Sequence, residues 1–164
     1  MDPFTVETTI ARPREDVFEY LADISNHAEF TDHYLVDWHL TREDPHGKGA
    51  GARFKVKAPL NRFPWADVSF AEVQAPHRIV ERGRGGKYNR IRMLGTYTLD
   101  LGPGGTTRVQ FTFETEPVMP SDRLMEALGA RAWTKRKAAR AMRRLRRILE
   151  EDRDRGRRVT LAGR

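Results

Sequence analysis

Residues 136–152, RKAARAMRRLRRILEED, carry an apolar stripe and a basic stripe on what the spacing predicts to be one helix. Ala138, Met142, Leu145 and Leu149 recur at intervals of four, three and four residues, which places them on one face of an α-helix. Four arginines repeat that spacing at an offset of two positions, and two residues correspond to about 200° around the helix axis. The apolar face therefore predicts a helix that packs against a sheet, with the arginines on its solvated back.

The basic stripe, which consists of Arg136, Arg140, Arg143 and Arg147, is also a candidate binding surface. Its charge would suit the phosphates of nucleic acid, but no aromatic residue is interleaved with it to stack on a base. Nucleic acid is therefore disfavoured as a partner. A weak attraction to an anionic membrane surface stays open by the same charge argument, and so does an interaction protein that uses this face of the C-terminal helix.

The bulk composition indicates a globular protein without disulfides. The 164 residues are 38% hydrophobic and 32% charged, and they include no cysteine. We expect one domain over residues 1–155 and a flexible tail at residues 156–164. The sequence shows neither a signal peptide nor an apolar run of about 20 residues, which predicts a cytoplasmic protein. Charge is uneven, because residues 1–50 hold four Lys or Arg and eleven Asp or Glu, whereas the remainder holds 26 and 12.

The remaining sequence predicts an antiparallel sheet that is preceded by two short helices. The segment FTVETTI alternates as a strand does, and RPREDVFEYLAD and SNHAEFTD then show helical spacing. From residue 34 onward, about six segments alternate apolar and polar residues and are separated by turns rich in Gly or Pro. The order is one strand, two helices, about six strands and one long helix to about Arg153. This is an α+β plan with helices on one face of an antiparallel sheet.

In this order the segments resemble the START-like, or birch-pollen-allergen-like, superfamily (SRPBCC), and within it the polyketide cyclase/dehydrase family. The segments that carry the resemblance span residues 4–153: VETTIARPREDVFEYLADISNHAEF, GARFKVKAP, GTYTLDLGPGGTTRVQFTFETEP and RAMRRLRRILEED. The resemblance implies the helix-grip fold, in which a curved antiparallel sheet of about seven strands wraps around a long C-terminal helix. It also implies a cavity between sheet and helix that holds a hydrophobic small molecule.

The resemblance leaves two functions open for that cavity. The leading hypothesis is binding of a polyketide, quinone, lipid or aromatic metabolite, with no cofactor. The alternative is a polyketide cyclase/dehydrase (aromatase) that acts by proton transfer, so whether the protein is an enzyme stays open. Cyclases of this family carry a Ser and an Arg two residues apart on the fourth strand and a Gln on the last strand. The matching positions here are Ser69, Ala71 and Phe111, and the two departures favour binding over catalysis.

The resemblance and strand phase together select the candidate site residues. Trp65, Asp67 and Ser69 share one face of WADVSFAEV. Trp65 and Ser69 match positions on the family's pocket face, so the resemblance implies that this face lines the cavity. Asp67 would there be a desolvated carboxylate suited to general acid or base work, unless a nearby Arg satisfies it. Tyr97 is the second candidate for proton transfer, because it offers an apolar body and one hydroxyl. The predicted ligand contacts are Tyr34, Trp38, Phe54, Val56, Trp65, Ser69, Ala71, Met93, Phe111, Leu128 and Met142.

The histidines and one Gly-rich segment complete the list of candidates. No two of the five histidines have the helical spacing of a metal-binding pair, and His33 and His39 would lie about 20 Å apart along a strand. We therefore predict no metal site. The segment GRGGKYNR, residues 83–90, is expected to form a mobile hairpin at the cavity mouth. Its alternative role is a lid whose cations meet an anionic substrate or an acyl carrier protein.

Overall fold

A computed structural model describes residues 1–59, 61–125, 129–156 and 159–161 of this chain. Within these ranges the chain forms one sheet of eight strands. The strands are β1 (Phe4–Ile10), β2 (Leu35–Leu40), β3 (Gly51–Val56), β4 (Trp65–Gln74), β5 (Arg78–Gly85), β6 (Ile91–Leu101), β7 (Thr107–Pro117) and β8 (Thr160–Leu161). The α-helices are α1 (Arg14–Ala22), α2 (His27–Thr31), α3 (Pro120–Met125) and α4 (Arg131–Glu151).

The sheet order is β1-β7-β6-β5-β4-β3-β2-β8. From β2 to β7 each strand pairs antiparallel with the next along the chain, and β1 returns to pair with β7. The two short helices α1 and α2 occupy the connection from β1, near one edge, to β2, near the other. The predicted α+β helix-grip fold is confirmed, with seven antiparallel strands in a curved sheet and a long C-terminal helix.

Two segments near the end of the chain contact the rest of the protein. The Gly156 N–H donates a hydrogen bond to the carbonyl of Glu29 at 2.8 Å. Beyond it, Thr160–Leu161 pairs in parallel with β2, opposite His39 and Leu40. This pairing covers the outer edge of the β2 strand, which would otherwise expose its backbone groups.

The two faces of α4 lie as the spacing predicted. Ala138, Met142 and Leu145 are buried, whereas the four arginines of the basic stripe are exposed. Glu150 joins the helix to the chain after β1, because its carboxylate accepts a hydrogen bond from the Ala11 N–H at 2.7 Å. None of the helices in the described ranges is both long and apolar enough to cross a lipid bilayer.

One arginine of α4 is not solvated, and the spacing argument overlooked it. The Arg144 side chain is 8% exposed and donates to the Asp32 carboxylate at 2.5 Å and to His33 Nδ1 at 3.3 Å. It also donates to the carbonyl of Asp154 at 3.0 Å. Arg144 therefore joins the end of α2 and the chain beyond α4 to the middle of the last helix.

The sequence predicts one long helix from the end of the sheet to about Arg153, but the helical backbone is interrupted at Gly129. Gly129 has φ of +107°, a conformation outside the α-helix that side chains disfavour. A Cβ at this position would meet no atom within 4 Å, so the backbone conformation and not close packing requires the glycine. The chain therefore forms α3 first and begins α4 at Arg131.

Candidate functional site

A cavity of about 1150 Å³ lies between the inner face of the sheet and the first half of α4. Its volume slightly exceeds the roughly 300–1,000 Å³ of pockets that hold drug-sized ligands. Most of its wall is apolar or aromatic. The larger side chains of the wall are Tyr34, Leu35, Trp38, Phe54, Val56, Met93, Tyr97, Phe111, Phe113 and Trp133.

Glycines on adjacent strands create the space. A Cβ on Gly95 would lie 2.9 Å from a carboxylate oxygen of Glu81 and 3.1 Å from the ring of Phe111. Cβ atoms on Gly83 and Gly85 would each lie 3.3 Å from the methyl group of Met93. All three glycines line the cavity. The sheet is thus hollowed where side chains are missing, and larger side chains from the same strands and their neighbours enclose the hollow.

An irregularity in β2 shapes the aromatic wall. Asp37 has φ of 53°, and the register with β3 shifts between Val36 and His39. Strict alternation would place Leu35 and Trp38 on opposite faces, yet both line the cavity. A bulge of this kind redirects the side chains that follow it.

Seven of the eleven predicted ligand contacts line this cavity: Tyr34, Trp38, Phe54, Val56, Trp65, Met93 and Phe111. Tyr97, the second candidate for proton transfer, also lines it. That they contact a ligand stays a prediction. Met142 is 1% exposed and belongs instead to the closed core. It lies one helical turn beyond Ala138, which lines the cavity. Leu128 lies outside the described residues.

The predicted inner face of β4 is wrong for Asp67 and Ser69. Ala66 and Val68 line the cavity, so the residues that alternate with them point outward. Asp67 and Ser69 border a charged depression on the outer face of the sheet. Asp67 accepts hydrogen bonds of 2.7 and 3.1 Å from Arg53, so it is a satisfied surface carboxylate and not a general base of the cavity.

The ends of β4 explain the wrong phase. Trp65 is the first residue of the strand and lies at the cavity rim, where it is 39% exposed. The resemblance matched both Trp65 and Ser69 to the family's pocket face, but of these two only Trp65 lines the cavity. Ala71 lies at the register shift between Phe70 and Glu72, and it is absent from the lining of the cavity among the described residues.

A buried contact between His27 and Glu81 forms one polar corner of the cavity. His27 Nδ1 lies 3.1 Å from Glu81 Oε1, with side-chain exposures of 4% and 12%, and both residues line the cavity. His27 Nε2 lies 2.8 Å from the carbonyl of Leu21. A carbonyl can only accept, so Nε2 carries a proton. A hydrogen bond between Nδ1 and the carboxylate then requires a proton on one of these two groups.

Two buried tyrosines stand beside this pair. The Tyr97 ring is edge-on to His27, with ring centroids 5.6 Å apart. Burial, followed by the charges of Glu81 and Tyr34, raises the pKa of Tyr97 well above its ordinary value. Burial, followed by Glu81, also raises the pKa of Tyr34. Both hydroxyls therefore stay protonated at neutral pH and can donate hydrogen bonds to a ligand oxygen.

Sequence reasoning missed the pairing of His27 with Glu81. At the level of sequence the histidines are treated only as candidate metal ligands, and Glu81 is assigned no role. A signal was present, because Ile79, Glu81, Gly83 and Gly85 alternate along β5 and share one face. A glutamate on the same strand face as a buried isoleucine and two glycines indicates a carboxylate that faces a cavity.

The polar corner does not have the composition of a metal site. It contains one imidazole and one carboxylate, and no cluster of three or more His, Asp or Glu occurs in the part of the chain that the structure describes. The chemistry available to the corner is hydrogen bonding and proton transfer by His27, Glu81, Tyr34 and Tyr97.

Comparisons with known proteins agree on family and fold. A family model described as polyketide cyclase / dehydrase and lipid transport matches residues 1–150. No curated protein matches the sequence. Truncated norcoclaurine synthase from Thalictrum flavum is 12% identical, with a TM-score of 0.69 over 92% of this chain and 94% of that one.

Two further solved structures have the same architecture. A protein from Thermus thermophilus is 15% identical, with a TM-score of 0.67 over 90% of this chain and 97% of that one. Major latex-like protein 151 from Panax ginseng is 14% identical, with a TM-score of 0.56 over 84% of this chain and 95% of that one. At these identities the likeness concerns the fold alone.

Proposed function

Because this chain belongs to the polyketide cyclase / dehydrase and lipid transport family, we propose that it binds a hydrophobic small molecule between the sheet and α4. The observation that carries the proposal is a cavity of about 1150 Å³ with aromatic walls and one polar corner. An apolar wall supplies affinity, and a few placed polar groups fix orientation. The fitting ligand class is an oxygenated polyketide, quinone or aromatic metabolite of several rings.

The polar corner favours a ligand with an oxygen at its inner end. Tyr34 and Tyr97 are 8% and 4% exposed, and a buried donor that is left unpaired costs about 1–3 kcal/mol. A carbonyl or quinone oxygen would accept from them, whereas a pure hydrocarbon would leave them unpaired. An oxygenated ring system should therefore bind more tightly than a hydrocarbon of the same shape.

A matched pair of variants on β4 tests the proposal. Val68→Phe adds a ring to the cavity, whereas Ser69→Phe places the same ring on the outer face one residue away. Native mass spectrometry of freshly purified protein, with organic extraction, should find a bound species in wild type and Ser69→Phe that Val68→Phe has lost. Retention in both variants, or an empty wild type that binds no quinone or polyketide mimic, would overturn the proposal.

A second candidate function is catalysis by proton transfer, and the His27–Glu81 pair is the observation that favours it. The pair can accept a proton from a carbon beside a ketone while Tyr97 donates a hydrogen bond to the ketone oxygen. The resulting enolate can attack a second carbonyl of the same ligand molecule, and the proton returns to the new alkoxide. This sequence is an aldol closure, and it assigns to Glu81 and His27 the role that the sequence had predicted for Asp67.

Hydrogen–deuterium exchange at a ketone separates catalysis from binding. Wild-type protein should speed exchange beside the carbonyl of 1-tetralone by about 10²-fold or more, the usual contribution of a positioned base. Glu81→Gln keeps a hydrogen-bonding side chain but cannot be ionised, so it should bind 1-tetralone and lose the acceleration. If 1-tetralone binds to wild type and exchanges no faster than in buffer, the protein is a binding protein and not a cyclase.

A further inference from the structure

The exposed apolar side chains gather at one end of the molecule. Six of the seven large hydrophobic side chains exposed in the described residues lie there: Phe63, Trp65, Tyr88, Val118, Met119 and Leu124. We call these six the mouth surface. The seventh, Leu101, ends β6 at the opposite end of the sheet. Scattered exposed apolar residues need no explanation, but a cluster at a cavity entrance marks an interaction site.

The strand register brings the mouth surface together. Lys55 pairs with Trp65, Ala66 with Gly85, and Ile91 with both Gly85 and Pro117. The connections after β3, β5 and β7 therefore lie at the same end of the sheet. The Val118 N–H donates to the carbonyl of Arg90 at 3.2 Å, which joins two of these connections directly.

Cations are interleaved with the aromatic rings. The connections at residues 57–64 and 86–90 contain four Lys or Arg and no Asp or Glu. The Lys87 ammonium lies 5.9 Å from the centre of the Phe63 ring and 5.3 Å from that of Tyr88. Aromatic side chains mixed with Lys and Arg are typical of segments that sit at the interface of an anionic membrane.

Tyr88 is held away from the protein. Its side chain is 85% exposed, and its backbone has φ of 56°, a left-handed conformation that is uncommon for a residue with a large side chain. Its ring buries almost no surface against its own fold, so packing does not account for a tyrosine here. Strained positions of this kind concentrate at functional sites.

We propose that the mouth surface docks on an anionic lipid bilayer, so that the ligand passes between membrane and cavity without crossing water. The passage of ligand rests on the proposed binding function, because Phe63 and Trp65 line both the cavity and the mouth surface. The docking itself does not depend on a ligand. The mouth surface combines exposed aromatic and aliphatic side chains with cations, and a bilayer with anionic headgroups receives both.

Vesicle flotation tests the docking. Wild-type protein should float with phosphatidylcholine vesicles that contain phosphatidylglycerol, float less as salt rises, and stay in solution with phosphatidylcholine alone. Tyr88→Asn removes the ring at a position where Asn tolerates the left-handed backbone, and it should weaken binding about tenfold. Lys87→Glu should weaken it more than tenfold, since each charge contributes about fivefold near such a surface. Leu101→Ser, at the opposite end, is the matched control and should bind as wild type does.

The outcomes distinguish the rival surfaces. Absence of wild-type flotation with anionic vesicles would overturn the proposal. So would binding that survives Tyr88→Asn and Lys87→Glu but is lost in Arg140→Glu, because it would place the contact on the basic stripe of α4. Capture of an acidic acyl carrier protein without vesicle binding would assign the surface to a protein partner. Val68→Phe should lose the ligand and keep vesicle binding, so a failure of ligand binding and a failure of docking are separable.

Discussion

Arg144→Met should destabilise the protein by about 3 kcal/mol, although most arginines of α4 lie in solvent. The side chain is 8% exposed and donates to Asp32 at 2.5 Å and to His33 at 3.3 Å. Removal of one partner of a buried ion pair costs about 3–5 kcal/mol, because the other charge is left without compensation. The low end of that range applies here, since the Asp32 side chain is 26% exposed and water can reach it in part.

Denaturant-induced unfolding measures this cost. The midpoint should fall with an unchanged m-value, and the melting temperature should drop by about 6–12 °C for a domain of this size. Arg143→Met is the matched control, because Arg143 is the exposed neighbour one residue away. A surface substitution of that kind should change the free energy of unfolding by no more than about 0.5 kcal/mol.

A double variant tests the assigned cause. Asp32→Asn removes the carboxylate charge that Arg144 contacts, so the two changes together should cost less than the sum of their separate effects. If Arg144→Met costs no more than Arg143→Met, the buried ion pair does not stabilise the fold. The apolar stripe alone would then hold α4 in place.

Two further predictions concern stability. Burial, followed by the charges of Arg140 and Arg144, lowers the pKa of His33 from 6.5 to about 4 against the opposing carbonyl of Lys137. The unfolded chain therefore takes up a proton first, so the free energy of unfolding should fall as the pH drops from 6.5 towards 4. His33→Gln should remove about 1–2 kcal/mol of that loss, a figure reduced for partial exposure; equal slopes in both proteins would contradict the assignment. Gly129→Ala should cost about 1–2 kcal/mol through its left-handed backbone alone, and a more stable variant would show that the helix can run through this position.

The sequence alone determined the architecture and the two faces of α4. Strand and helix periods are local properties, because a side chain's direction relative to its neighbours follows from backbone geometry. The spacing of Met142 and Leu145 against Arg143 therefore predicted the buried and exposed faces of α4, although it did not predict the burial of Arg144. Two further residues chosen from the sequence, Phe111 and Tyr97, also line the cavity.

Tertiary structure decided which of two faces looks inward. Alternation divides β4 into two sets, but it does not say which set meets the core, so Asp67 was placed on the wrong one. In β2 the bulge at Asp37 brought Leu35 and Trp38 to the same cavity. Register and bulges depend on the partner strand, and no local pattern in these segments shows them.

The most informative groups were those that meet across the chain. His27 is the first residue of α2, whereas Glu81 lies in the middle of β5. Only the curvature of the sheet brings His27 Nδ1 and Glu81 Oε1 to 3.1 Å from each other. Arg144 is the same type of residue as its solvated neighbours, and it is buried because α2 and the chain end cover it. The chemical nature of each residue follows directly from the sequence. Its environment, which sets what a carboxylate, an imidazole or an arginine can do, is a property of long-range packing and belongs to the folded structure.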